Sequence, residues 1–405
     1  MTTTPHAENT PLGPLNGIRV IELGTLIAGP FASRILGEFG AEVIKVETPG
    51  SGDPIRKWRV LHEGNSLWWA VQARNKKSIT LNLKTADGLD ILRTLLASAD
   101  ILVENFRPGQ LEKWGLSPEQ LHALNPSLIV VRLSGYGQTG PYKDRPGFGA
   151  IAESVGGMRY LSGDPDRPPV RVGVSIGDSL AGLHAVIGAL MALQQRHKTG
   201  KGQVVDVALY ESVFNMMESL LPEYDFAGVV RQRSGASLPG IVPSNTYICG
   251  DGCFIVIGGN GDAIFKRLMC AIGRDDLANN PNMATNDGRV KHTEQIDHAI
   301  AQWCKAHAIE QALTRLEEAE VPASKIYSIE DIVKDPQFQA RGMLEEHPFG
   351  QEHTLKVPGV VPKLSDTPGQ TRWLGPALGE HNDSVLADLG YTAQQVAQFK
   401  HNGVV

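Results

Sequence analysis

The chain has 405 residues, 41% of them apolar and 20% charged, with a formal net charge of −6 and a pI near 6.1. That length suggests two or three domains with ample material for a core, and the composition fits neither a disordered nor a fibrous chain. The weakly acidic balance carries no global basic field, so nucleic acid is not expected as a partner.

The opening MTTTPHAENTPLGPLNG has neither the basic start nor the apolar stretch of a secretion signal, and it reads as a loose tail on a cytoplasmic protein. No uninterrupted apolar run reaches the ~18 residues of a membrane span, so no membrane is expected. From Gly17 a β–α–β rhythm sets in. Strands are expected at Gly17–Gly24, Ala41–Val46, Ser78–Leu83, Ile101–Glu104 and Leu128–Leu133, with helices at Phe31–Phe39, Gly88–Ala97 and Pro118–Leu124 between them. Strands alternating with helices imply an α/β fold with a parallel, doubly wound sheet, whose functional loops follow the strands.

Those loops read TLIAGP, ETPGSGDPIRKWR, ENFRPG and SGYGQTGPYKDRPG. The first lacks G-x-G-x-x-G, which argues against a nicotinamide or flavin dinucleotide. Arg56, Lys57, Arg59, Arg74, Lys76, Lys77, Lys84, Arg107, Lys113, Lys143 and Arg145 fall in or beside these loops. In an acidic protein they form a local cationic rim suited to a ligand with several phosphates, or else an ordinary solvated surface.

Val170–Gly200 comes next, where apolar residues recur at Leu180, Leu183, Val186, Ile187, Leu190, Met191 and Leu193 with helical period. Asp178 stands at the start of this helix. It is either the N-cap or, after a turn of small residues, a carboxylate kept ionised for use as a nucleophile or base. A strand at Gly202–Leu209 and a helix at Tyr210–Leu221 succeed it, then an irregular segment, Asp225–Ser244, too long for a tight connection. Thr246–Ile257 predicts a hairpin turning at Gly250–Gly252, followed by helices at Ala263–Ile272, Thr293–His307 and Ile309–Ala319. A polar hairpin near His353–Val360 and helices at Asp383–Leu389 and Ala393–Lys400 close the chain. The expected domains are residues 1–224 (large), 225–328 (small, α+β) and 329–405 (return to the large one). Cys249, Cys253, Cys270 and Cys304 are expected as free thiols, and no metal site is expected.

Eight segments, in order, resemble the class III CoA-transferases: GIRVIELGTLIAGPFASRILGEFGAEVIKVETPGSGD, NKKSITLNLK, ADILVENFRPGQLEKWGL, NPSLIVVRLSGYGQTGPYKDRPG, GDSLAG, KTGKGQVVDVALYES, VPASKI and LGEHNDSVLADLGY. This is the group of formyl-CoA, carnitine and dicarboxylate CoA-transferases, with α-methylacyl-CoA racemase as a side branch. The resemblance implies a Rossmann-like large domain, a smaller middle domain and two subunits interlocked as rings. It implies acyl-CoA as substrate, no permanently bound cofactor, and Asp178 as the nucleophile that passes through an acyl anhydride and an aspartyl-CoA thioester. It places Ile27, Ala28, Lys84, Asn105, Phe106, Arg107, Lys113 and Arg145 along the CoA, and makes Ser234–Gly240 a shielding loop hinged at Gly235 and Gly240. Where relatives carry Arg after VIKVE, this chain has Thr48. The racemase pairs the Asp with a His in a GHD segment, here Gly147, Phe148 and Gly149, so that second acid/base is missing. A catalytically silent CoA-binding protein is the alternative from another class. The look of the whole chain is closest to the dicarboxylate-using members, with a succinyl-CoA-like donor and a small dicarboxylic or hydroxy acid as acceptor. Arg56, Arg59, Arg74 and Arg231 are the candidates for the acceptor carboxylate.

Overall fold

The computed structural model describes residues 13–350 and 352–405. Most of the N-terminal tail expected from the sequence lies outside them. The chain divides into two compact units: one runs up to Met158 and takes in Val172–Pro222 and Gln339–Val405, and the other comprises Arg159–Arg171 and Glu223–Phe338.

The first unit is built on a parallel sheet of strands β1 (Arg19–Glu22), β2 (Glu42–Glu47), β3 (Lys76–Thr80), β4 (Ile101–Glu104), β5 (Ile129–Ser134) and β6 (Val204–Ala208). Their order is β3-β2-β1-β4-β5-β6, with every pairing parallel. This is the order of a doubly wound sheet, which winds outward in both directions from β1 and β4 and opens a crevice between their carboxyl ends. The inner strands carry apolar residues where their faces are covered: Ile21 sits opposite Ile44 and Leu102 in the register, and all are buried. Val385, Leu386, Val396 and Val404, far along the chain, pack into the same core.

Two helices depart from their expected shape. Helix α1 spans Ala28–Glu38, three residues earlier than the pattern predicts. Pro30 falls in its first turn, where the missing N–H has no intrahelical partner to lose, so it does not delay the start. The central helix, here α3 (Ile176–Thr199), begins at an N-cap on Ser175, making Asp178 its third residue and not its cap. Its buried face is also only partly the expected one: of the periodic apolar residues, Val186 and Leu193 are buried. Gly177, Ala181, Gly182, Ala185 and Ala189 are buried, while Leu183, Ile187, Leu190 and Met191 are exposed in the single chain. Small residues face inward because the neighbours come close: a Cβ on Gly182 would lie 2.8 Å from Phe31 of α1, and one on Gly188 would lie 2.5 Å from Val205 of β6. By length and composition α3 could cross a membrane, but its small-residue face is buried within this unit.

The expected helix at Tyr210–Leu221 is two helices, Leu209–Phe214 and Leu220–Ala227. The C-terminal hairpin pairs Leu344–Phe349 with His353–Pro358, so its first strand lies ahead of the predicted region.

The second unit holds an antiparallel sheet in which Phe254–Gly258 pairs with Ser244–Ile248 and with Ala323–Lys325. Helices Asp262–Ala271, Thr293–Lys305 and Ile309–Glu318 cover it, burying Phe265, Leu268, Ile300 and Leu316. All four cysteines are free, and burial pushes the Cys304 thiol up to about 12.

Candidate active site

A cavity of about 160 Å³ opens at the carboxyl ends of β1, β4 and β5, in the crevice where the sheet winds apart. Thr25, Leu26, Ile27 and Ala28 line it from the β1 side, and Asn105, Phe106 and Arg107 from β4. Lys143, Arg145, Gly147 and Phe148 come from the chain after β5, and Asp178 from the first turn of α3. Six of the eight cofactor positions expected from the sequence, Ile27, Ala28, Asn105, Phe106, Arg107 and Arg145, therefore meet Asp178 in one place.

Glycines clear the space. Helix α2 (Gly149–Val155) starts beside Asp178, and a Cβ on Gly149 would fall inside the Asp178 carboxylate. One on Gly177 would lie 3.0 Å from the Gly149 carbonyl oxygen, and one on Gly135 would lie 2.8 Å from the Gly147 Cα. The starts of α2 and α3 thus approach backbone to backbone, with the half-buried carboxylate at their junction. In the first turn of a 24-residue helix, that carboxylate also sits where aligned peptide dipoles favour negative charge.

Arg107, Lys143 and Arg145 form no ion pair with a carboxylate among the described residues, and the Arg145 guanidinium lies 3.6 Å from the Tyr142 ring centre. Three uncompensated cations around one cavity are a site for anions. A second cavity, of about 200 Å³, shares Thr25 and Phe106 with the first. Leu23, Val46, Leu81, Leu83 and Trp114 give it apolar walls, and Thr48 and Lys84 also line it. Phe106 meets Trp114 edge to face at 5.2 Å. Lys113 is exposed and lines neither cavity, while Gly235 and Gly240, at φ +64° and +75°, belong to the second unit.

Asn105 is placed at the cavity, but its side chain is occupied. Its Oδ1 accepts from the Thr25 N–H at 2.8 Å and its Nδ2 donates to the Thr25 carbonyl at 2.8 Å, closing a two-way clamp between the loops after β1 and β4. Beside it, Glu104 accepts from the Phe106 N–H and from Arg132 Nε. Burial pushes the Glu104 carboxyl up to about 7 against the pull of Arg132.

Beneath the β1 loop lies a buried ionic cluster that the sequence did not announce. Glu22 receives Lys45 and Lys76, each at 2.7 Å, and Lys45 also reaches Asp53 at 2.9 Å. All four side chains are at most 1% exposed. Burial alone would raise the Glu22 carboxyl, but the two ammonium groups hold it at about 2; burial lowers Lys76 to about 8. Both oxygens of Asp53 accept from the Leu26 N–H at 3.1 Å. Leu26 has φ +65°, a left-handed conformation that costs a non-glycine residue about 1–2 kcal/mol. The signal available was Gly52-Asp53-Pro54, an N-cap before a helix-starting proline, and Asp53 does cap Pro54–Lys57.

Of the candidates for an acceptor carboxylate, Arg56 is paired with Glu47 and stacked on Trp69, and Arg74 is buried on Glu38. Arg231 pairs with Glu223 in the second unit. Arg59 is exposed over Trp68.

A family model described as CoA-transferase family III matches residues 15–382. Succinyl-CoA–D-citramalate CoA-transferase from Chloroflexus aurantiacus is 48% identical over 98% of this chain and 99% of its own length. Human succinyl-CoA:glutarate CoA-transferase is 32% identical, covering all of this chain and 92% of its own. Among solved structures, a CAIB/BAIF family protein from Brucella suis superimposes with a TM-score of 0.83 at 35% identity, over 94% of this chain and 100% of that one.

Proposed function

From the fact that this chain belongs to CoA-transferase family III, we propose that it moves coenzyme A from succinyl-CoA or a similar short acyl-CoA onto a small dicarboxylic or hydroxy acid, with Asp178 as nucleophile. The observation that carries the proposal is the Asp178 carboxylate in a cavity ringed by Arg107, Lys143 and Arg145, none of them neutralised by an ion pair among the described residues. Names of relatives support the substrate class, since they act from succinyl-CoA on citramalate and glutarate.

In the proposed sequence a carboxylate oxygen of Asp178 attacks the thioester carbonyl carbon, the C–S bond breaks, and CoA leaves as thiolate with an acyl-aspartyl anhydride behind it. The thiolate then attacks the Asp178 carbonyl carbon and expels the donor acid, giving an aspartyl-CoA thioester. The acceptor carboxylate displaces the thiolate to form a second anhydride. Attack by the thiolate on the acceptor-derived carbonyl yields the new acyl-CoA and restores Asp178. The first turn of α3 favours the anionic carboxylate at the start and end of this cycle. In this reading the second cavity takes the nucleotide end of CoA, with Lys84 beside it and Thr48 leaving one contact of the relatives unfilled. Ile27 and Ala28 border the acyl end. Gly235 and Gly240 hinge the shielding loop, and the exposed Leu183, Ile187, Leu190 and Met191 of α3 are the surface an interlocked second subunit would cover.

Racemisation would need a second acid/base facing Asp178. Phe148 and Gly149 stand at those positions, and neither His nor another carboxylate lines the cavity among the described residues. The test of the proposed route is capture: enzyme incubated with succinyl-CoA and hydroxylamine should carry a hydroxamate at Asp178, and an unmodified Asp178 peptide by mass spectrometry would exclude a covalent intermediate there.

A further inference from the structure

The loop Gly24–Ile27 is held by side chains from four separate segments. Lys45 Nζ donates to the Gly24 carbonyl at 2.7 Å, Asn105 clamps Thr25, Asp53 accepts from Leu26, and Gln72 Nε2 donates to the Ile27 carbonyl at 3.0 Å. So many holds on four residues exceed what chain connection requires. The loop leads directly into the start of α1, and Ile27 and Ala28 at that junction face the cavity containing Asp178.

We infer that Asp53 is a positioning residue for the transfer reaction: it fixes the Leu26 amide in its left-handed conformation and so sets the backbone of Ile27 and Ala28 against the reacting acyl group. Asp53 borders the second cavity, but its side chain is fully buried and its carboxylate is taken up by Leu26, Ile55 and Lys45, so its hold on the acyl end of the site runs through Leu26. Its reach is set from behind, because Lys45 bridges it to Glu22 at the end of β1 and ties the loop to the sheet. Leu26 is the weak point that makes such a brace necessary. A leucine released at φ +65° relaxes to negative φ, and that rotation swings the peptide leading into Ile27 away from the cavity wall. Glycine at the same position populates positive φ readily and needs no such restraint.

The inference rests on the transfer reading above, and its test keeps the two apart. Asp53→Ser retains a side-chain oxygen able to cap the Ile55 N–H but is too short to reach Leu26. We expect its kcat for CoA exchange to fall at least about tenfold, with KM for acyl-CoA within about twofold and the circular dichroism spectrum unchanged. Hydrogen exchange of the peptide containing Leu26 should accelerate. Adding Leu26→Gly to Asp53→Ser should recover kcat several-fold relative to the same substitution in the unaltered enzyme, a rescue that a merely stabilising role for Asp53 does not predict. Undiminished kcat in Asp53→Ser, unchanged exchange at Leu26, or a loss that glycine does not rescue would each overturn the inference. Absence of transfer in the unaltered enzyme would sink the reading of the reaction, and amide exchange, which needs no turnover, tells that outcome from failure of the brace.

Discussion

The carboxylate of Asp178 occupies the space that a side chain on residue 149 would need. Gly149 is therefore required by the site and not by the backbone, since it begins an ordinary helix. Gly149→Ala should push the carboxylate from its place and lower kcat roughly 100-fold, the scale of a misplacement of about 1 Å, while binding of CoA measured by calorimetry stays near the original value. A variant that turns over normally would show that the carboxylate moves freely in the working enzyme.

Asp178→Ala removes the nucleophile and leaves helix α3, whose cap is Ser175. CoA exchange should drop by at least ~10³-fold with folding intact by circular dichroism. Substantial residual exchange would end the assignment.

Arg145 and Lys143 are expected to meet the negative charge of the incoming substrate. Either one replaced by alanine should raise the KM for acyl-CoA about tenfold, equivalent to about 1.4 kcal/mol for a charge-assisted hydrogen bond, and should flatten the dependence of KM on salt. If only the KM of the acceptor acid responds, these cations serve the second substrate and the phosphates are held elsewhere.

Glu104, pushed up to about 7 by burial, predicts a pH effect on binding because it anchors the Phe106 N–H. As pH falls below 7 the carboxyl gains a proton, the anchor weakens, and KM for acyl-CoA should rise; Glu104→Gln should remove that bend. Stability moves the other way. A carboxyl raised in the folded state binds its proton more tightly there than in the unfolded chain, so its contribution is fully present below about 4.5 and is lost as pH rises through 7.

Glu22 is the shared counter-ion of two buried lysines. Its carboxyl is held at about 2, so it stabilises the fold above about 4.5 and that contribution disappears as pH falls toward 2. Glu22→Gln should destabilise the protein by about 3–5 kcal/mol in urea unfolding at pH 7. The loss should shrink above pH 8, where Lys76, already lowered to about 8 by burial, can shed its proton. Equal losses at pH 7 and pH 9.5 would show that Lys76 is not the charge left stranded.

Much of the sheet was legible because parallel strands covered on both faces are rich in apolar residues; Ile101–Glu104 falls where the pattern puts it, and Glu42–Glu47 is displaced by one residue. The loops that build the site follow from strand direction. The inward face of α3 was legible only at Val186 and Leu193, because hydrophobic period marks the large residues and most of the contact is made by alanine and glycine. Nor was the hold of Asp53 on Leu26, 27 residues apart and brought together only by the pairing of β1 with β2. In the strand Leu344–Phe349 the polar residues Glu345, Glu346 and His347 stand in a row, so no alternation marks it and it gives little signal. The run of Gly163, Asp164, Pro165, Asp166, Pro168 and Pro169 marks Arg159–Arg171 as loop, but nothing in it shows that the segment belongs to the second unit.

The packing of Val385, Leu386, Val396 and Val404 among residues of the first strands has a consequence in time. As the chain leaves the ribosome, β1 to β6 are all exposed before residues 385–404 exist to cover their core. The second unit, whose core is drawn from residues 242–321, can close in the interval. For that interval the β3 edge, with Ile79 and Leu81, lacks the C-terminal residues that bond to Ser78, Thr80 and Asn82, and the nascent enzyme keeps an unfinished core until most of it has already been made.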